Sequence, residues 1–140
     1  MRFIVPAGIL LLILLGTLSR RGEETHEGTD GEEVAYLTAE ELGALLREGR
    51  PALIEFGGRG CAPCREMQPV LTEFRSAHGA LVEVANIDLN EYPDLADRYD
   101  IMVIPTQIVF SREGKELGRH LGVWPRGEIE AEFRRLGIIP

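Results

Sequence analysis

Two cysteines, Cys61 and Cys64, stand three positions apart in the segment LIEFGGRGCAPCREMQPVL, and the 140-residue chain has no others. The apolar positions after them predict a helix that begins at Cys61. Free backbone N–H groups and the positive end of the helix dipole stabilise an anion at such a helix start. We therefore expect Cys61 to be an exposed thiolate nucleophile, and Cys64 to attack the mixed disulfide that Cys61 forms with a partner.

Three other uses of the cysteine pair are open at this point. A zinc site needs four ligands, and besides the two thiols the chain has three scattered histidines. A purely structural disulfide would close a very small loop, which gains least from cross-linking. A Cu(I) site made of both thiols, with Met67 or Met102 as a soft ligand, is chemically reasonable. We expect redox chemistry without metal or cofactor, and keep a Cu(I)-binding or copper-delivery module as the alternative.

Glu55 stands six positions before Cys61 in the apolar run ALIEF, residues Ala52–Phe56. A short run of this kind predicts a central strand covered on both faces. A carboxylate there is costly unless it has a partner or a role, and its desolvation raises its pKa. The alternative is a residue at the strand end whose side chain bends out to solvent.

Strands and helices alternate along the rest of the chain in the predicted order β-α-β-α-β-α-β-β-α. The expected strands cover residues 34–37, 52–56, 80–88, 106–110 and 115–122. Thr38 with Glu41 three positions later predicts a capping box at the start of the first helix. Because parallel units come first and a hairpin with a helix comes last, we expect an α/β fold with a mixed central sheet.

The segment Phe56–Pro69, with its Cys-x-Pro-Cys core, resembles the active-site segment of thioredoxin. The stretch VIPTQIVF, residues 103–110, resembles its cis-proline strand, and Gly114–Gly122 its final hairpin. The resemblance covers roughly residues 34–136. It implies a thioredoxin fold, with a central mixed sheet flanked by helices, and a thiol–disulfide oxidoreductase acting on disulfide-containing proteins. The details most resemble exported or membrane-tethered thioredoxin-like proteins of bacteria and archaea.

The resemblance also assigns roles to single residues. Pro105 is implied to be cis and to lie against the cysteine pair, so that the backbone of Ile104 can pair with an extended substrate segment. From the local sequence alone, a trans proline that begins an edge strand is an equal alternative. Glu55 is implied to take the proton from Cys64, often through water, which makes it the general acid and base.

The active-site loop departs from the family pattern. Gly57 and Gly60 stand where the family has aromatic residues, so contacts with partners must differ. Ala62 replaces the usual glycine between the cysteines, and Val84 replaces a lysine that pairs with the buried acid. Arg59 either supplies a cation that favours the thiolate or is an ordinary solvated loop residue. The expected loop consists of Arg59, Gly60, Ala62 and Pro63.

The first 33 residues of the sequence differ from the remainder. Phe3–Leu18 is uncharged over sixteen positions, and as a helix it would reach about 24 Å, slightly less than the ~30 Å hydrocarbon core. We expect residues 1–19 to be a hydrophobic helix that acts as a signal anchor or a cleaved signal peptide, with a core helix as a third alternative. Residues 20–33 contain two arginines and six acidic residues and predict a flexible acidic linker. The thioredoxin-like domain then covers residues 34–140.

Length and charge limit the partners. A chain of this length predicts one domain, which we expect to be a monomer. The net charge of −8 argues against binding of nucleic acid, whose phosphates would repel it. We expect a single-pass membrane protein with its domain on the extracytoplasmic side, or a secreted or periplasmic protein if the N-terminal segment is cleaved. The implied partners are protein disulfides and a membrane electron-donor protein.

Overall fold

The computed structural model describes residues 32–140, which contain four helices and four strands. The helices are α1 (Ala39–Leu45), α2 (Ala62–His78), α3 (Asp94–Arg98) and α4 (Arg126–Arg135). The strands are β1 (Ala52–Gly57), β2 (Glu83–Asp88), β3 (Thr106–Phe110) and β4 (Glu116–Leu121). The predicted signal segment of residues 1–19, and nearly all of the predicted acidic linker, lie outside the described residues. Within residues 32–140, no helix is both long enough and apolar enough to cross a membrane.

The strands form one mixed sheet in the order β2-β1-β3-β4. β1 pairs with β2 in parallel and with β3 antiparallel, and β3 pairs antiparallel with β4. All residues of β1 are buried, which agrees with its prediction as a central strand. The α/β prediction with a mixed sheet flanked by helices is confirmed.

The first predicted strand, residues 34–37, was wrong. This segment makes a single parallel bridge between Tyr36 and Asn86 at the outer edge of β2. Two backbone hydrogen bonds of 2.8 Å flank the bridge. The segment goes no further along the sheet because Thr38 begins α1 immediately afterwards, with the predicted capping box to Glu41 in place.

Apolar side chains fill both faces of the sheet. On one face Leu53 of β1 packs with residues from α2 and α4, among them Met67, Phe74 and Phe133. On the other face Ile54 packs with residues from α1 and α3. Because successive side chains of a strand point to opposite faces, Glu55 lies on the same face as Leu53. The fold thereby places this carboxylate under α2, the helix that carries the cysteines.

Candidate active site

A disulfide joins Cys61 and Cys64 at the N-terminus of α2. Cys61 is the N-cap residue, and its Sγ accepts a hydrogen bond of 3.3 Å from the backbone N–H of Cys64. Cys64 is only 1% exposed, whereas Cys61 is half-buried. The helix start therefore offers an N–H donor to the accessible sulfur, where negative charge is favoured when the disulfide opens. A partner can reach Cys61 but not Cys64.

The two glycines of the loop occupy very different surroundings. A Cβ atom on Gly57 would lie 2.8 Å from Sγ of Cys64, closer than carbon and sulfur can approach without a shift. A Cβ atom on Gly60 would meet no heavy atom within 4 Å. In this structure Gly57 thus lets a cysteine sulfur approach the backbone closely, while Gly60 leaves open space beside Cys61. The fold offers no such reason for the absence of a side chain at residue 60.

Arg59 contacts two carboxylates and one aromatic ring. Its Nε lies 3.5 Å from Asp88 and 3.9 Å from Glu91, and its guanidinium stacks 4.4 Å from the centre of the Tyr36 ring. The charge of Arg59 is therefore shared with two carboxylates. That it favours the Cys61 thiolate stays a prediction.

Glu55 is 1% exposed in the middle of the sheet, so the alternative in which its side chain bends out to solvent is wrong. Burial raises the pKa of Glu55 from its ordinary value of 4.5 to about 7, and a hydrogen bond from Gln107 offsets part of that rise. The Gln107 Nε2 donates to Oε2 of Glu55 over 3.0 Å. A Cβ atom built on Gly57 would lie 3.6 Å from Oε1 of Glu55 and 2.8 Å from Sγ of Cys64, so this oxygen and the sulfur lie near the same point of the β1 backbone.

Val84 stands at the position where the family resemblance implies a lysine. It pairs with Leu53 in the parallel register, whereas Glu55 pairs with Asn86. The groups that shift the pKa of Glu55 within residues 32–140 are its buried surroundings and Gln107, with no cation among them. The partner of the carboxylate is therefore an uncharged amide on β3 and not the expected lysine on β2.

Gln107 was not predicted as a site residue. The β1–β3 register sets it directly opposite Glu55. The sequence contained one signal: Gln107 lies two positions before Val109 in the run TQIVF, so both side chains point to the same face. Val109 packs on the face under α2. Only the register between two strands that are distant in sequence turns that signal into a contact.

A row of polar residues crosses the sheet under α2 because the paired residues of neighbouring strands share one face. In register order the row is Tyr36, Asn86, Glu55, Gln107 and His120. The side-chain amide nitrogen of Asn86 donates to the carbonyl of Val34 over 2.8 Å. Among residues 32–140, no group pairs with the amide oxygens of Asn86 and Gln107.

The Ile104–Pro105 peptide bond is cis, as the family resemblance implied. Pro105 precedes β3, whose first residue, Thr106, pairs with Phe56 near the end of β1. The proline therefore lies at the same end of the sheet as the cysteine loop. The three residues before it form an exposed apolar segment, Met102–Ile104, in which Met102 is 88%, Val103 48% and Ile104 43% exposed. The substrate-binding roles of Ile104 and Pro105 stay predictions.

Several contacts do not favour the copper alternative. Met67 is fully buried, and its sulfur accepts a hydrogen bond of 3.1 Å from the backbone N–H of Trp124. A histidine could also complete a copper site, but His120 stacks on the Trp124 ring, and its Nε2 lies 3.2 Å from the carbonyl oxygen of Val123. For the zinc alternative, the described part of the chain contains no cluster of three or more histidine, cysteine, aspartate or glutamate residues that could hold a metal ion.

Comparison with known proteins gives concordant results. The profile of the thioredoxin family matches residues 33–135. The chain is 35% identical to thioredoxin of Alicyclobacillus acidocaldarius over 97 residues, which cover 69% of this chain and 91% of that protein. It is 32% identical to the chloroplastic thioredoxin Y of Oryza sativa over 111 residues, covering 79% of this chain and 63% of that protein. The crystal structure of oxidised mitochondrial thioredoxin 3 from Saccharomyces cerevisiae superposes with a TM-score of 0.64 at 27% identity, covering 73% of this chain and 94% of that chain.

Proposed function

Because the chain belongs to the thioredoxin family and is a thioredoxin-type thiol–disulfide oxidoreductase, we propose that it reduces disulfides of other proteins on the extracytoplasmic side of the cell membrane. One observation carries the proposed direction of attack. Cys61 is accessible at the start of α2, and Cys64 is buried on the side of Glu55. A partner disulfide can thus meet one sulfur, while the second is kept for the resolving step.

The reaction proceeds in two exchange steps. The Cys61 thiolate attacks a substrate disulfide, the substrate S–S bond breaks, and one substrate sulfur leaves as a thiolate that takes a proton from water. Cys64 then gives its proton to Glu55, and its thiolate attacks Sγ of Cys61. The mixed disulfide breaks, the second substrate sulfur leaves, and the Cys61–Cys64 bond forms. Two electrons have then passed from the cysteine pair to the substrate.

The proposed location is supported by the uncharged stretch Phe3–Leu18 and by the resemblance to tethered family members. An anchor followed by an acidic linker would keep the domain near the bilayer and raise its effective concentration toward membrane and exported partners. We propose that a membrane electron-carrier protein reduces the cysteine pair, and that apocytochrome c is among the disulfides it reduces. Membrane fractionation of the full chain and of a chain lacking residues 1–19 tests the location. Equilibration of the cysteine pair with glutathione tests the direction, with about −270 mV expected for a reductant and about −120 mV for an oxidant.

Cysteine variants test the exchange itself. We expect Cys61→Ser to abolish insulin reduction, because the attacking thiolate is lost. Cys64→Ser should instead accumulate mixed disulfides through Cys61, which non-reducing gels and mass spectrometry detect. If Cys64→Ser collects no adducts while the unmodified protein binds Cu(I) tightly, the copper alternative replaces this proposal.

A further inference from the structure

The two oxygens of the Glu55 carboxylate have separate surroundings. Oε2 receives the 3.0 Å hydrogen bond from Nε2 of Gln107. Oε1 lies 3.6 Å from the Cβ position of Gly57, a point that is itself 2.8 Å from Sγ of Cys64. One oxygen is therefore tied to β3, and the other lies near the same point of β1 as the sulfur of the resolving cysteine.

Gln107 is a fixed rather than an adaptable partner. It is fully buried and lies directly opposite Glu55 in the β1–β3 register. Within residues 32–140 it is the one side chain that donates a hydrogen bond to this carboxylate. A bond between two buried cross-strand neighbours restricts the rotation of the carboxylate about its last torsion.

We propose that Gln107 is a positioning residue that holds Oε1 of Glu55 toward Cys64 and stabilises the ionised carboxylate that takes the Cys64 proton. This inference rests on the proposed function, since it concerns the step in which Cys64 resolves the mixed disulfide. A carboxylate that accepts a hydrogen bond from an amide is favoured over its protonated form. Gln107 thereby keeps Glu55 available as a base despite its burial.

The unpaired oxygen of Gln107 suits the other half of the cycle. A carboxamide has both donors and an acceptor, so it can pair with a carboxylate or with a protonated carboxyl group. The buried Oε1 of Gln107 has no hydrogen-bond partner among the described residues. Once Glu55 has taken the proton, a half-turn of the amide would let this oxygen accept the new O–H, in a neutral hydrogen bond weaker than the charge-assisted one to the carboxylate. An apolar residue at position 107 could serve neither state.

Other titratable groups face Glu55 and must be considered in any pH experiment. The cysteine pair lies above it on α2, Tyr36 lies beyond Asn86 in the polar row, and Asp88 follows on β2. His120 lies on the far side of Gln107 in β4. The pKa of Tyr36 is raised by burial and, to a smaller degree, by the Glu55 charge. A substitution at residue 107 removes none of these titratable groups.

The test compares Gln107→Met with Gln68→Met. Both replace a buried glutamine by an apolar side chain of similar length, but Gln68 bonds to the hydroxyl of Tyr36 and not to Glu55. In the oxidised protein, ¹³C NMR of the Glu55 carboxyl should show a titration midpoint about one pH unit higher in Gln107→Met, because a hydrogen bond to the charged form is lost. The midpoint should stay in place in Gln68→Met.

The resolving step supplies a second measurement. When the reduced protein reacts with Ellman's reagent, release of the second thionitrobenzoate reports the attack of Cys64. We expect Gln107→Met to slow this release about fivefold near pH 7 and hardly at all near pH 9, because an upward shift of one unit leaves less carboxylate at neutral pH. In a Glu55→Gln background, Gln107→Met should cause no further slowing, since the residue acts through Glu55.

An unchanged Glu55 midpoint, or equal slowing in the Glu55→Gln background, would overturn the proposal. Should Gln107→Met not fold, Gln107→Asn keeps the amide but withdraws it by one methylene, and the same upward shift is expected. These outcomes are separate from the failure of the proposed function. That failure would remove the Cys61 adducts of Cys64→Ser, whereas failure of this inference leaves them intact.

Discussion

On the two sides of the Cys61–Cys64 disulfide the usual distribution of polarity is reversed, with polar groups buried and apolar groups exposed. On the inner side, the buried surface under α2 carries the carboxylate of Glu55 and the amide of Gln107. On the outer side, the exposed segment Met102–Ile104 is entirely apolar. Buried polar groups are costly without partners, and exposed apolar groups gain when a partner covers them. The inner side is therefore suited to hold a proton, and the outer side to meet another protein.

The largest expected effect comes from the inner side and concerns stability. Below about pH 4.5 Glu55 is protonated in both the folded and the unfolded chain, so its ionisation does not affect stability there. As pH rises, the unfolded chain loses this proton first, because burial raises the folded-state pKa to about 7. The free energy of unfolding should therefore fall between about pH 4.5 and about pH 7 and stay low above that range. At about 1.4 kcal/mol per pKa unit, the loss is about 3 kcal/mol.

Glu55→Gln should remove this pH dependence. Above about pH 7 we expect the oxidised variant to be more stable than the unmodified chain by about 3 kcal/mol, measured by urea unfolding across the pH range. Glu66→Gln removes the same charge from an exposed position on α2 and serves as the control. A parallel pH dependence in Glu55→Gln and the unmodified chain would show that the inner carboxyl does not carry the raised pKa.

Alanine substitutions at residues 57 and 60 compare a buried and an open position of the active-site loop. Gly57→Ala forces a Cβ atom against the buried sulfur of Cys64, and we expect a loss of about 1–3 kcal/mol in the stability of the oxidised protein. Gly60→Ala points into open space and should change stability by less than about 0.5 kcal/mol. Denaturant midpoints of the two oxidised variants measure the difference. Equal midpoints would mean that the loop moves away from Cys64 at little cost.

Local signals in the sequence were sufficient for elements that begin next to a capping residue or a proline. The capping box at Thr38 located the start of α1, and Pro105 located the start of β3. The spacing of Cys61 and Cys64 located the reactive pair. These features depend on neighbours within one helical turn or one tight turn, and such neighbours are visible in the sequence.

Features that depend on register were not predictable in the same way. The segment around Tyr36 has strand-forming residues, yet it pairs at a single bridge because α1 begins directly after it. The contact between Glu55 and Gln107 joins residues 52 positions apart. It arises only when the chain returns antiparallel beside β1. Likewise, the close approach of the Cys64 sulfur to Gly57 was visible only in the structure.

The smallest expected effect lies on the outer side and separates protein substrates from small ones. Met102→Ser removes exposed apolar surface beside Pro105, and we expect the KM for insulin to rise about threefold to fivefold, because the covered area contributes about 25 cal/mol per Å². The reaction with Ellman's reagent should not change, since a small disulfide reaches Cys61 without covering Met102. Leu117→Ser is the control, because Leu117 is an exposed apolar residue of β4 at the opposite end of the sheet from the disulfide. If both variants raise the KM for insulin equally, the apolar segment Met102–Ile104 has no special part in recognition. Only the inner side, with the proton of Glu55, would then keep its proposed role.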